Sequence, residues 1–322
     1  MATTVGIVND LFEKTIADVS QDAEHWQSFL KTASMNYTND FSEQLLIYAQ
    51  RPTAIACTDI NTWNDTYKRF VNTGTPGIGL LTEIGGRQRI RYVWGINDTH
   101  SIYGRKGKQL KIWRVPKVYE EQVIEALENK FGTFDDKSSF IGAVKSLARN
   151  LSEENYYEYY NDLLENKIDT RLENISNDVI ERKYKEILEN SIAYMIINRS
   201  GINPAPYFDN TDFIDIPIFQ DLENMARLGA AVSNISETGI REIYVSLKNI
   251  QIAEINKIRT FDKRNNIVYD DNEKSNVAER SDSYEHDLQE NRELYTTKSS
   301  STRGGESQDR QIWNNEVAIL ER

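Results

Sequence analysis

The sequence predicts an α+β fold in which N-terminal helices pack on a small antiparallel sheet, followed by a mainly α-helical domain and a disordered tail. Helical spacing of apolar residues appears on both sides of a strand-rich section, and Gly85-Gly86 separates two strand-like runs. Apolar residues become sparse after residue 261, where Asn, Asp, Glu, Ser and Arg dominate. We therefore predict three regions: 1–118, an α+β domain; 119–261, a helical domain; and 262–322, a disordered acidic and polar tail.

Two segments near the start show the spacing of amphipathic helices. Their apolar members are Trp26, Phe29, Leu30 and Ala33 in the first, and Phe41, Leu45, Tyr48 and Ala49 in the second. Arg51-Pro52 should end the second helix, since proline disfavours a helical conformation in the preceding residue. Residues 53–58 are predicted to form a strand, and residues 59–70 a short helix that carries Trp63.

The strongest local signal is a β-hairpin. Residues 78–84 and 87–94 are strand-like, and the Gly85-Gly86 pair between them tolerates the positive φ angles of a two-residue hairpin turn.

After Tyr119 the pattern becomes helical. Apolar residues follow helix spacing at Phe140, Ile141, Val144, Leu147, Ala148 and Leu151, then at Ile180, Tyr184, Ile187, Leu188 and Ile192, and finally at Leu222, Met225, Leu228, Val232 and Ile235. Gly201 and Pro204 should end the second of these helices, and the third should end near Gly239.

Charge is distributed unevenly along the chain. The net charge is −12, yet residues 51–119 hold twelve Lys or Arg against four Asp or Glu. Such asymmetry indicates a basic working surface beside an acidic part. The alternative is an ordinary surface with unevenly distributed charges.

The second hairpin strand places Arg87, Arg89 and Arg91 on one face, and Tyr92 and Trp94 on the other. Arginine binds phosphate through its planar fork, and aromatic rings stack on bases, so this mixture is typical of single-strand binding. The predicted nucleic-acid-binding residues are Arg51, Lys68, Arg69, Arg87, Arg89, Arg91, Tyr92, Trp94, Tyr103, Arg105, Lys106, Lys108, Lys111, Trp113 and Arg114. The alternative is a solvated edge hairpin whose charges block strand addition, with Trp94 and Trp113 in the core.

No catalytic constellation is evident in the sequence. Three histidines, one cysteine (Cys57) and the absence of a His-Glu-x-x-His motif argue against a catalytic zinc site. We therefore expect no catalytic residue, no metal and no cofactor. The sequence lacks a segment of about 20 apolar residues that could cross a membrane, so we expect a cytoplasmic protein that does not engage membranes.

Three motifs carry a family resemblance: FSEQLLIYAQRPTA at residues 41–54, Trp63-Asn64, and VNTGTPGIGL at residues 71–80. Together they resemble the ArdC-like anti-restriction N-terminal domain, as found at the start of large conjugative-transposon helicase/methylase proteins of Firmicutes. In that group the likeness extends to NSIAYM at 190–195 and RLGAAV at 227–232. This chain has Glu43 where the family commonly has Asn, and it lacks the His-Glu-x-x-His of the family's metallopeptidase-like domain, so protease activity is not implied.

The resemblance and the basic hairpin together predict a non-catalytic accessory or anti-restriction protein of a mobile genetic element that binds single-stranded DNA. The alternative is a protein-binding module that inhibits a host defence nuclease complex or docks a helicase/methylase partner.

Overall fold

A computed structural model describes residues 4–101 and 113–264 of this chain. Residues 1–243 form one compact unit, and residues 244–322 are assigned to a second. The predicted α+β class is confirmed, because the described residues form helices and two small antiparallel sheets. The predicted boundaries at residues 118 and 261 stay predictions. Of the predicted tail, residues 262–264 belong to a helix and residues 265–322 lie outside the described part.

The chain begins with three helices, α1 (Thr4–Val19), α2 (Ala23–Ser34) and α3 (Phe41–Gln50). The sequence predicted α2 and α3 but not α1. The Asp22 carboxylate caps α2 by accepting from the His25 N–H at 3.0 Å, and Asp40 caps α3 by accepting from Glu43 N–H at 2.9 Å. Each cap satisfies a backbone donor that has no partner within the helix.

Within the described residues four strands follow, namely β1 (Arg69–Val71), β2 (Ile78–Ile84), β3 (Arg87–Val93) and β4 (Thr99–Ser101). Strands β2 and β3 form the predicted hairpin, and β1 pairs antiparallel with β4. Gly85 and Gly86 have φ angles of 61° and 70°, the left-handed values that a type I′ turn requires. The hairpin prediction is therefore confirmed.

The predicted strand at residues 53–58 is wrong. Only Thr58 makes a β-bridge, to Trp94, and Ala56 has a φ of 52°, which interrupts an extended conformation. The Cys57 N–H instead donates to Asn36 Oδ1 at 2.9 Å. This side chain, from the loop after α2, is the hydrogen-bond acceptor that a carbonyl of a neighbouring strand would otherwise be. The predicted helix at 59–70 is shorter, with a π-helical turn at Thr62–Thr66, and its predicted end lies in β1.

The remaining helices are α4 (Glu120–Phe131), α5 (Phe140–Glu165), α6 (Asn177–Arg199) and α7 (Leu222–Arg264). Helix α6 ends before Gly201, as predicted, and that glycine has a φ of 83°. The prediction that the third helix ends near Gly239 is wrong, because α7 continues to Arg264. A Cβ on Gly239 would lie 2.7 Å from Ile196 Cδ1 and 3.1 Å from Leu151 Cδ1, so this glycine permits close helix packing rather than ending the helix.

The base of the hairpin is anchored in a hydrophobic cluster. Its buried members come from α1, α3, the following loop and the hairpin: Val8, Leu46, Ile47, Ala54, Cys57, Ile78, Leu80 and Val93. Leu81 and Ile90 pack against the same cluster from the middle of the hairpin. The base of the hairpin is therefore fixed, and nearer the turn Asn9 Nδ2 of α1 donates to Gln88 Oε1 at 3.1 Å. Within the described ranges, no helix combines the length and apolar character needed to cross a membrane.

Candidate nucleic-acid interface

The register of the hairpin places the three predicted arginines of β3 on one face, as expected. Arg87 is opposite Ile84, Arg89 is opposite Thr82, and Arg91 is opposite Leu80. Burial changes steadily along this face, because Val93 is fully buried, Arg91 is partly buried, and Arg87 and Arg89 are exposed. The accessible positive charge is thus limited to the half of β3 nearest the turn.

Arg91 does not offer a free guanidinium. Its Nη2 forms an ion pair with Glu43 Oε1 of α3, and the two side chains are 35% and 18% exposed. Glu43 also accepts a hydrogen bond from Asn39 Nδ2 at 3.2 Å. Arg91 therefore links β3 to α3, and the expectation of three equivalent arginines in a row needs correction.

Arg51 also serves a local structural role. Its Nη1 pairs with Asp98, and its Nη2 donates to the Pro76 carbonyl at 3.0 Å. Asp98 Oδ2 in turn accepts from the Gly95 N–H at 2.9 Å. Arg51 therefore holds the loop that enters β4 against the start of the hairpin.

Arg69 is oriented in a similar way by β4. Its Nε donates to Thr99 Oγ1 at 2.8 Å, and its Nη2 donates to the Thr99 carbonyl at 2.7 Å. Partial burial lowers the pKa of the Arg69 guanidinium. Because its donors are largely used within the fold, Arg69 has little capacity left for a phosphate.

The two predicted tryptophans are packed rather than open. Trp94 is half-buried, its Nε1 donates to the Thr75 carbonyl at 3.3 Å, and Gly77 lies against its ring. Trp113 is 7% exposed, and the Arg199 guanidinium carbon lies 4.3 Å from its ring centroid. Tyr92 is different, since it is 49% exposed on the β3 face opposite the arginines. Of these three rings, only Tyr92 could stack on a base without rearrangement.

The other predicted residues do not all join this site. Lys68 is exposed just before β1 and has a φ of 51°, and Arg114 is exposed and lies beside Gly201. Tyr103, Arg105, Lys106, Lys108 and Lys111 lie outside the described residues. The structure therefore places Arg87 and Arg89 on one face of the half of β3 nearest the turn, and Tyr92 on the opposite face near the base of the hairpin. Arg51, Arg69, Arg91 and the two tryptophans lie within the packed fold.

An edge hairpin was one alternative predicted from the sequence, but the sequence did not indicate which backbone groups of β3 face away from β2. The N–H and C=O groups of Trp94 pair with Thr58 across this edge, at 2.9 and 3.1 Å. The alternation of strand residues could have indicated which backbone groups face outward, but only after the pairing partner of β3 was known.

The described residues contain no group of three or more His, Cys, Asp or Glu arranged to hold a metal ion. Cys57 is buried, and burial raises the pKa of its thiol to about 12. A thiol with so high a pKa is almost entirely protonated near neutral pH, so Cys57 is a poor nucleophile.

Comparisons of the chain with protein-family models, with curated proteins and with solved structures found no match. The resemblance to the ArdC-like domain stays a prediction.

Proposed function

We propose that this protein is a non-catalytic accessory or anti-restriction protein of a mobile genetic element that binds single-stranded DNA through the β2–β3 hairpin. The observation that supports this most directly is the exposure of Arg87 and Arg89 on one face of β3. Neither guanidinium has an ion-pair partner among the residues that the structure describes. Unpaired, hydrated arginines are available to displace counterions from a phosphate backbone.

The spacing along β3 suits an extended strand of nucleic acid. Side chains two residues apart on one face are separated by about 6.6–6.8 Å, twice the rise per residue. Arg87 and Arg89 could therefore contact successive phosphates, and Tyr92 lies near the same free edge on the opposite face. Binding through phosphates and one stacked ring gives weak sequence preference, since every base has a stacking face.

Fluorescence anisotropy with labelled single-stranded and double-stranded oligonucleotides tests this function. The double variant Arg87→Ala/Arg89→Ala should weaken single-strand binding by about 10-fold or more, because a hydrogen bond to a charged group contributes about 1.5–3 kcal/mol net and about 1.4 kcal/mol is a factor of 10 in affinity. The matched control is Arg171→Ala/Arg182→Ala, which removes two exposed arginines from the helical part.

Equal affinity of the hairpin variant and the unmodified chain would refute the proposed site. Absence of any single-strand binding by the unmodified chain at low salt would refute the proposed function itself.

A protein-binding role is the second candidate function. The free edge of β3 favours it, because an exposed strand edge is a place where another chain can pair.

A further inference from the structure

The outer edge of β3 is a strand edge with a defined hydrogen-bonding register. At its base, the Trp94 N–H donates to the Thr58 carbonyl at 2.9 Å, and the Thr58 N–H donates to the Trp94 carbonyl at 3.1 Å. Backbone groups point to the same side of a strand at every second residue. The N–H and C=O groups of Tyr92, Ile90 and Gln88 therefore face the same side as those of Trp94.

The opposite strand supports this register. Gly79, directly across from Tyr92, turns its own N–H and C=O away from β3, and both bond to the Gln50 side chain at 2.9 Å. Gln50 thus forms the hydrogen bonds that a strand beside β2 would form with Gly79. No residue in the described ranges hydrogen-bonds the outward backbone groups of Gln88, Ile90 or Tyr92, so this stretch of the β3 edge has no strand partner within those ranges.

We propose that the β3 edge binds an extended strand of a partner protein, whose side chains alternate between acidic and apolar residues. The added strand would continue the pairing that Thr58 begins at Trp94. On one face its side chains would lie beside Arg87 and Arg89, and on the other beside Ile90 and Tyr92. Acidic residues complement the first face, and apolar residues complement the second.

The charge of this edge also selects against other occupants. In a β3–β3 pair of two copies of this chain, arginines of one copy would lie beside arginines of the other, and like charges on neighbouring strands are destabilising. Charged residues on an edge strand protect it from unselective pairing. Arg87 and Arg89 would therefore disfavour basic strands and favour an acidic one.

This inference does not depend on DNA binding, because the two ligands use different groups. A nucleic-acid strand needs the guanidiniums and has no backbone amides to complete a β-ladder. A peptide strand needs the outward N–H and C=O groups as well as the charges. Removing one outward N–H without removing a positive charge therefore separates the two activities.

The experiment uses the full chain and a fluorescein-labelled peptide of alternating glutamate and valine as the probe. Gln88→Pro removes an outward N–H from an exposed position, while the hydrogen bonds between β2 and β3 do not use that group. Gln88→Ala is the matched control, because it removes the same side chain and keeps the N–H. We expect Gln88→Pro to weaken peptide binding about 10-fold relative to Gln88→Ala, as the loss of one or two backbone hydrogen bonds would.

Two further arms keep the test decisive if Gln88→Pro disturbs the hairpin. A probe that is N-methylated on the residues facing β3 should lose binding to the unmodified chain, and a probe with glutamates and valines in separate blocks should bind at least about 10-fold less well. Single-strand DNA affinity should change less than about twofold in Gln88→Pro, since no charge is lost.

The inference is overturned if the alternating peptide does not bind the unmodified chain, or if N-methylation leaves its affinity unchanged. It is also overturned if the block peptide binds as well as the alternating one. None of these results would alter DNA binding, so failure of the peptide site and failure of the proposed function are distinguishable.

Discussion

The side-chain amide of Gln50 at the end of α3 forms two hydrogen bonds with the backbone of Gly79 in β2. Its Nε2 donates to the Gly79 carbonyl, and its Oε1 accepts from the Gly79 N–H, both at 2.9 Å. A primary amide presents one donor and one acceptor in the same geometry as a peptide group. Gln50 therefore replaces a neighbouring strand at one position and fixes the hairpin to the helix.

Replacing Gln50 by alanine should lower the free energy of unfolding by about 1–3 kcal/mol, because two partly buried backbone groups lose their partners. Gln50→Glu keeps the acceptor and loses the donor, so it should also destabilise. Urea denaturation followed by circular dichroism measures both. The control is Gln27→Ala, whose side chain makes only long, solvent-exposed hydrogen bonds of 3.4–3.5 Å, and a change below about 0.5 kcal/mol is expected there. Equal effects of Gln50→Ala and Gln27→Ala would contradict this role.

Salt dependence reports how many phosphates the hairpin neutralises. For single strands the slope of log affinity against log salt is about −0.7 per phosphate contact. Arg87→Ala/Arg89→Ala should therefore make the slope less negative by about 1.4. Anisotropy titrations over a series of salt concentrations measure it, and Arg171→Ala/Arg182→Ala should leave the slope unchanged. A parallel shift of the line without a change of slope would mean that Arg87 and Arg89 do not contact phosphates.

The β2–β3 hairpin and helices α2 and α3 could be predicted from the sequence, because each depends on residues that are close together along the chain. The hairpin was predictable because Gly85-Gly86 can adopt a type I′ turn and the flanking residues favour strands. Helices α2 and α3 were predictable from apolar spacing. The predicted length of α7 was too short, because a glycine that ends a helix and a glycine inside a helix have the same appearance in a sequence. Only the close packing of Gly239 against Ile196 and Leu151 shows that this glycine is inside the helix.

The candidate site was less predictable, since it depends on partners that are distant in sequence. Alternation identified the arginine face of β3, but nothing near Arg91 indicated that Glu43, 48 positions earlier, would pair with it. Arg51 pairs with Asp98 and Arg69 bonds to Thr99, again across long separations. The sequence gives the number of arginines in this region, but it does not show which of them are paired within the fold and which are exposed to solvent.

Gly229 in α7 lies against the ring of Phe41, which is itself buried, and an added Cβ would overlap that ring. In an exposed helix Gly→Ala stabilises by up to about 1 kcal/mol, whereas overpacking a core costs about 1–3 kcal/mol. Gly229→Ala should therefore lower the free energy of unfolding despite the higher helix propensity of alanine. The double variant Gly229→Ala/Phe41→Leu should lose at least about 0.5 kcal/mol less stability than the sum of the losses of the two single variants, as measured by thermal or urea unfolding. Strict additivity would mean that the two residues do not compete for space.

Glu189 on α6 should make stability depend on pH. Burial raises the pKa of its carboxyl, although Arg149 Nε lies 3.7 Å from its Oε2. Because the folded-state pKa exceeds the unfolded value of about 4.3, the contribution of Glu189 to stability is most favourable when its carboxyl is protonated and decreases as pH rises through these two values. Glu189→Gln removes that penalty, so the variant should gain stability over the unmodified chain more at pH 7 than at pH 4.

Urea unfolding at the two pH values measures this difference for Glu189→Gln. Glu186→Gln removes an exposed carboxylate from the same helix, and solvent screening should keep its effect small at both pH values. A stability difference between Glu189→Gln and the unmodified chain that is the same at pH 4 and pH 7 would contradict the assignment to Glu189.

The helices that carry the hairpin share buried polar contacts with the later helices of the first compact unit. Trp26 Nε1 of α2 donates to Ser191 Oγ of α6 at 2.9 Å, and Gln44 Nε2 of α3 donates to Ser233 Oγ of α7 at 3.0 Å. A fragment ending at residue 118 would leave both side chains without these hydroxyls and would expose the surfaces around them. The hairpin should therefore be studied on a chain that retains α6 and the first half of α7, because shortening the protein would alter the base from which the hairpin projects.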